Sequence, residues 1–217
     1  MTPDANLTGH RPTLDAAYFD GMYNASPDPW GFSTRWYEAR KYAITVAMLP
    51  AARYDRAFEP GCSIGVLTAM LAARCGTLLS CDGSPAAVRT AAERTAALPH
   101  VRVERRRLPD DWPDGRFDLV VLSELLYYFG ADDLDTVLGR ATAALRPGGT
   151  LLATHWRRPV AEYPRTGDEV HAAMAARPEL TLVADHWEPD FLAQAFLRAA
   201  PGTDPASVSV AAAEGLA

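Results

Sequence analysis

Apolar positions change their rhythm along the chain. In residues 13–25 and 33–49 they recur at spacings of three and four, as in Trp36, Ala39, Ala43, Val46 and Ala47, which is the period of a helix with one buried face. SPDPWGF, residues 26–32, separates the two stretches with helix-breaking prolines and a glycine. Ser33 and Thr34 stand as candidate N-caps for the second helix. From residue 54 short apolar runs alternate with helical stretches. RAF (56–58), TLLSCD (77–82), VRVERR (101–106), FDLVVLS (117–123) and TLLATHW (150–156) read as strands. Helices are predicted after the first run to about Arg74, from Ser84-Pro85 onward, over 132–145 and over 166–177. Serine at the cap with proline at the first helical position is a start signal. Gly148 and Gly149 serve as terminators of the third of these helices. LTLVADHW and FLAQAFLR, separated by Glu188-Pro189, read as a closing hairpin, with a helix at 190–199 as the alternative.

Such alternation predicts a doubly wound α/β sheet. The expected organisation is an N-terminal arm and helical lid (1–53), a seven-stranded domain ending in an antiparallel hairpin (54–199), and a disordered tail (200–217). The first dozen residues are polar and read as mobile. FDLVVLS is almost wholly apolar and suits a central strand covered on both faces. In such sheets ligands bind beyond the carboxyl ends of the strands. The site should therefore be built from Glu59–Gly65, Asp82–Ser84, Ser123–Tyr128 and His155–Arg158.

Composition narrows the function. The net charge of −6 opposes nucleic-acid binding. No apolar run approaches the ~20 residues of a membrane span, and the first residues carry no secretory pattern. Three cysteines without a CxxC pair fit a reducing cytoplasm. No ligand spacing suggests a metal. Arg102, Arg105, Arg106 and Arg107 suit an outer strand whose charges discourage edge pairing. The single lysine, Lys41, reads as a matter of composition.

The informative motif is Glu59-Pro60-Gly61-Cys62-Ser63-Ile64-Gly65, which follows a strand and opens a helix. Gly61 and Gly65 allow a tight turn and close approach to a ligand. The spacing is neither the GxGxxG of dinucleotide folds nor a P-loop. A carboxylate at Glu59 would repel phosphate and suit a cation or hydroxyl donors. Asp82 is placed to accept bonds from both ribose hydroxyls. These residues describe a nucleoside site for a ligand without a pyrophosphate.

On this loop, CDGS (81–84), FDLVVLSELLYYF (117–129) and LRPGGTLL (145–152), the chain resembles the class I S-adenosylmethionine-dependent methyltransferases over about residues 54–198. The resemblance implies a Rossmann-like sheet and S-adenosyl-L-methionine as cofactor, leaving S-adenosyl-L-homocysteine. It implies that Glu59, Gly61, Gly65, Asp82, Gly83 and Ser84 lie against the cofactor, with Ser123 and Glu124 at its methionine end. Many members carry an acid after strand three for the adenine amine. Here Leu108 backbone or the Asp110 side chain stands at that place.

DPWGF (28–32), TRWYEARKY (34–42) and the run from His155 to His171 resemble the nodulation protein S (NodS) group within that class. That group N-methylates the free amine of a terminal glucosamine. The resemblance implies a small-molecule amine acceptor, such as an amino sugar, and a monomer or homodimer. It also implies a lid of Trp30, Arg35, Trp36 and Tyr37, with Trp30 and Arg35 touching the cofactor. An amine nucleophile needs only a nearby proton acceptor, because it is neutral near physiological pH. The candidates for that chemistry are His155, Glu124 and Tyr127. Tyr128, His155, Trp156, Asp168 and His171 are the candidates for holding the acceptor. O-methyl transfer, or a related binding protein without activity, are the alternatives.

Overall fold

The apolar run at 117–123 becomes the middle of a sheet whose two faces are both covered. The structure, a computed structural model, describes residues 11–216. Its strands are β1 (Tyr54–Pro60), β2 (Cys75–Asp82), β3 (Val101–Arg105), β4 (Phe117–Ser123), β5 (Leu145–Trp156), β6 (Leu180–Trp187) and β7 (Phe191–Arg198). They form one sheet in the order β3-β2-β1-β4-β5-β7-β6. The first five are parallel, and β7 runs antiparallel between β5 and β6. The helices are α1 (Ala16–Ala25), α2 (Trp36–Ala47), α3 (Val66–Ala72), α4 (Pro85–Arg94), α5 (Ala131–Ala144), α6 (Gly167–Ala175) and α7 (Val210–Ala213).

Strand alternation divides the core. Phe58, Val120 and Leu122 pack with Val137 and Leu138 of α5 and Met174 of α6. Their neighbours Ala57, Leu119 and Val121 point the other way, to Tyr42 of α2 and Leu67 and Leu71 of α3. The order reverses between β1 and β4, which places the crevice for a ligand at their carboxyl ends.

Three expectations change in detail, and the expected closing hairpin prevails over its helical alternative. α2 begins at Trp36, and neither Ser33 nor Thr34 caps it. The Ser33 hydroxyl instead donates to Asp28 Oδ2 (2.6 Å), and Asp28 also accepts the Phe32 and Ser33 N–H groups. Asp28 therefore organises the break between α1 and α2. Ser84 holds the cap position of α4 with Pro85 next to it, but its hydroxyl makes no capping bond. The ladder pairing Asp185 with Gln194 and Trp187 with Leu192 makes 191–198 a strand, not a helix. The tail expected to be disordered carries a 3-10 turn, Pro205–Val208, and α7, each started by its own cap, Asp204 and Ser209. Those caps are local hydrogen bonds that need no core, and neither element buries a residue. The arginine-rich β3 is an outer edge of the sheet, as its charges suggested.

Candidate active site

The loops leaving β1, β2 and β4 surround a cavity of about 400 Å³, roofed by the segment from Thr13 to Phe32. β1 contributes Glu59, Gly61 and Ser63. β2 contributes Asp82, Gly83 and Ser84, and the chain beyond β3 contributes Leu108 and Asp110. β4 contributes Ser123, Glu124 and Leu125, followed by Tyr128 and Phe129. Phe19, Tyr23 and Trp30 form the roof.

The glycine loop is held from two sides. Gly61 has φ +73°, and a Cβ there would lie 3.0 Å from Leu125 Cδ1, so this conformation and contact call for glycine. Asp82 Oδ2 accepts the Ser63 N–H (2.9 Å) and Oδ1 accepts the Ser84 N–H (2.9 Å). Burial raises the Asp82 carboxyl above its ordinary range despite these donors. Asp82 also lines the cavity. The Tyr23 hydroxyl lies 2.5 Å from Ser63 Oγ and ties α1 to the same loop.

Glu59 is 2% exposed. The Thr68 and Ser80 hydroxyls donate to its Oε2 at 2.6 and 2.8 Å. Burial pushes its carboxyl up to about 7, with the two hydroxyls opposing that shift. Ser84 Oγ and Ser123 Oγ are buried without a hydrogen-bond partner. Both residues line the cavity. A buried hydroxyl left unpaired is costly, so these two mark places where a bound polar ligand would complete the bonding.

Glu124 sits at the end of β4 with φ +51°, a left-handed conformation that a non-glycine residue adopts only when its surroundings enforce it. Those surroundings are specific. The Lys41 ammonium is 2.7 Å from Oε1, while Oε2 accepts the Tyr127 hydroxyl and the Trp156 N–H (3.0 Å). Lys41 also lies 2.8 Å from Glu38 Oε2. Burial works against the charge on Lys41, but Glu124 and Glu38 outweigh it and hold the ammonium above its ordinary range.

Of the residues the sequence pointed to, Trp30, Glu59, Gly61, Asp82, Gly83, Ser84, Leu108, Ser123, Glu124 and Tyr128 stand on the cavity wall. Leu108 and Asp110 both stand there. Arg106 also reaches the wall, with its guanidinium tied to Glu104.

The remaining candidates are placed elsewhere. Gly65 packs against α4, where its Cβ would lie 2.9 Å from Ala91 Cα. Arg35 is exposed and packs on Gly31. Its neighbour Trp36 is 78% exposed, so neither closes over the cavity. His155 is fully buried. Its Nε2 accepts the Leu126 N–H (3.2 Å), which leaves the proton on Nδ1, 3.0 Å from His171 Nε2. His171 in turn donates from Nδ1 to Gln194 Oε1 (2.8 Å). Burial pushes His155 well below its ordinary range and His171 to about 4. Both are neutral core histidines that brace the 3-10 turn Leu126–Tyr128, with no free ring nitrogen for catalysis or for a sugar hydroxyl. Tyr127 is buried and donates to Glu124 rather than reaching the cavity. Trp156 packs edge-on against Tyr37. Asp168 lies at the surface, paired with Arg157 at 2.6 Å.

Reading the sequence missed Lys41, Glu38 and the wall residues Phe19 and Tyr23. A signal for Lys41 existed: a chain that uses arginine at every other basic position has one lysine, in the middle of an amphipathic helix. Nothing local marked Phe19 and Tyr23, whose role depends on where α1 docks. Among the described residues, no three or more His, Cys, Asp or Glu side chains group as metal ligands. No described helix is long and apolar enough to cross a membrane.

A family model described as a methyltransferase domain matches residues 58–151. Nodulation protein S of Bradyrhizobium diazoefficiens is 31% identical over 133 residues, covering 59% of this chain and 62% of that protein. The match thus spans less than two thirds of that relative. A Pseudomonas syringae protein of known structure, provisionally assigned as a methyltransferase, is 48% identical over 76% of this chain and 100% of its own, with a TM-score of 0.68. The N-methyltransferase NodS of Bradyrhizobium japonicum, solved with S-adenosyl-L-homocysteine, is 23% identical over 83% of this chain and 97% of its own, with a TM-score of 0.76. Strand order brings the acid–glycine loop and the second-strand acid together at the carboxyl ends of a doubly wound α/β sheet. The chain belongs to the class I S-adenosylmethionine-dependent methyltransferases.

Proposed function

We propose that the protein transfers a methyl group from S-adenosylmethionine to the free amine of a small polar acceptor such as an amino sugar. The residues present fit this cofactor. Gly61 leaves room for close approach, Ser84 and Ser123 offer unpaired hydroxyls, and the Asp82 carboxylate lines the same cavity. Glu59 and Glu124 give the same wall two carboxylates suited to a ligand carrying positive charge. When bound, the cofactor supplies a sulfonium-activated methyl group for in-line displacement.

The observation that carries the nitrogen reading is the make-up of the wall. Among the described residues it offers the carboxylates of Glu59, Asp82 and Glu124 but no histidine. A hydroxyl acceptor requires a base strong enough to draw its proton as it attacks. An amine attacks with its own lone pair and sheds a proton afterwards, which a carboxylate suffices to receive. Glu124 Oε1 retains acceptor capacity beyond its bond to Lys41 and is the group we assign to hold the amine. The roof residues Phe19, Tyr23 and Trp30 exclude water and orient the reactants, and alignment alone supplies several kcal/mol in such reactions. The NodS structural neighbour, an N-methyltransferase, has the same fold.

The test is a transfer assay with methyl-labelled S-adenosylmethionine. Acceptors are glucosamine, deacetylated chitin oligosaccharides and aminoglycoside-type amines, each beside its N-acetylated partner. Label appears only on the free amines under this reading. Label on the acetylated partners would mean O-methylation instead, and label on none would remove the amino sugar from the proposal.

A further inference from the structure

Lys41 is the only lysine in the chain, it is 2% exposed, and Glu38 beside it is 6% exposed. Its ammonium sits between Glu124 Oε1 at 2.7 Å and Glu38 Oε2 at 2.8 Å, with the Tyr37 ring centroid 5.0 Å away. Two carboxylates against one ammonium leave one unbalanced negative charge in a buried cluster. Charges so placed interact strongly, because little water screens them. Arg35 also acts on Glu38, but it is exposed to solvent, where water screens it. Glu124 is the member of the cluster on the cavity wall, so the unbalanced charge borders the cavity. A buried charge without a counterion is costly, and a ligand cation arriving beside Glu124 would offset that cost.

We propose that Glu38, Lys41 and Glu124 form a charge-setting triad that gives the cavity a site selective for a ligand cation, sulfonium or ammonium, with Lys41 holding the net charge at minus one. Arginine does not substitute for Lys41 here. A compact ammonium fits between two carboxylates, whereas a planar guanidinium demands a wider, directional fork. The choice of probes rests on the methyltransferase reading above.

The test titrates the full chain calorimetrically with three adenosyl compounds. S-adenosylmethionine carries a sulfonium, an ammonium and a carboxylate, S-adenosylhomocysteine carries the ammonium and the carboxylate, and methylthioadenosine carries none of the three. Glu38→Gln brings the triad to neutrality. It should weaken S-adenosylmethionine relative to methylthioadenosine by at least about threefold. If the ammonium is the cation read, S-adenosylhomocysteine weakens alongside. If it is the sulfonium, S-adenosylhomocysteine does not. The double variant Glu38→Gln/Lys41→Met returns the triad to minus one and should restore the wild-type ratio. It also decides the matter if the single variant does not fold. An unmoved ratio in folded Glu38→Gln, or a lost ratio in the folded double variant, overturns the proposal. Wild-type protein that binds none of the three compounds would overturn the methyltransferase reading itself.

Discussion

Two buried titratable residues, Glu59 and His171, make opposite demands on pH. The folded value of Glu59 is raised from 4.5 to about 7 by burial. Its contribution to stability is full below pH 4.5 and is lost as pH rises through 7. The folded value of His171 is lowered from 6.5 to about 4, again by burial. Its contribution is present above pH 6.5 and is lost as pH falls through 4. Each shift is worth roughly 2–4 kcal/mol, and the two slopes oppose one another in the wild type. Removing one group should expose the other. Relative to wild type, Glu59→Gln should gain stability in urea unfolding as pH rises from 5 to 8. His171→Asn should gain as pH falls from 7 to 5. Differences that stay constant with pH would dismiss both assignments. A second residue-scale expectation concerns Gly65. With φ +76° and α4 backbone 2.9 Å from any Cβ, Gly65→Ala should cost about 2–4 kcal/mol in urea unfolding. The affinity of the folded fraction for S-adenosylhomocysteine should change little, because Gly65 is not on the cavity wall. A variant as stable as wild type would show that the α3–α4 contact yields freely.

The two N-terminal helices look alike in sequence but are attached differently. α2 is bound into the sheet by Lys41 to Glu124 and by Thr45 Oγ1, 3.0 Å from Thr154 Oγ1 on β5. Both contacts are buried, so α2 is a fixed part of the domain. α1 meets the rest through Tyr23 to Ser63 and through aromatic contacts, Phe19 with Tyr128 and Tyr23 with Trp30. It supplies the roof of the cavity and little of the sheet's core. Deleting residues 1–32 should therefore leave a cooperatively folded sheet while lowering affinity for S-adenosylhomocysteine at least about tenfold. That tenfold corresponds to ~1.4 kcal/mol of lost contact. Circular dichroism and calorimetry check the two halves of that statement, and wild-type affinity in a folded truncation would end the roof assignment. The strands were legible because alternation and apolar runs are local, and so was the β6–β7 hairpin. Helix caps were less so: Ser33 has the right type and place, yet Asp28 takes its hydroxyl for a different turn.

For the molecule as a whole, binding and folding are linked. S-adenosylhomocysteine at about 100 times its Kd should add about 2.7 kcal/mol to stability. In a chain of this size that is an increase of roughly 5–10 °C in melting temperature. NAD should leave the midpoint where it is, since the loop lacks the spacing that wraps a pyrophosphate. The reverse result would remove the chain's cavity from the nucleoside–sulfonium class. The sequence by itself determined the sheet, the acid–glycine loop and the second-strand acid, because each depends on residues within one strand–turn–helix unit. It also put Ser123 and Glu124 at the carboxyl end of β4, where both line the cavity, since a strand's carboxyl end is known once the strand is. Only the tertiary structure decided that His155 and His171 bond each other inside the core, that Asp168 belongs to Arg157, and that the one lysine lies between two acids. Those pairings join residues that no local pattern connects: Lys41 and Glu124 are 83 positions apart. A side chain's chemistry follows from what burial leaves beside it, and that is settled only when separate elements pack.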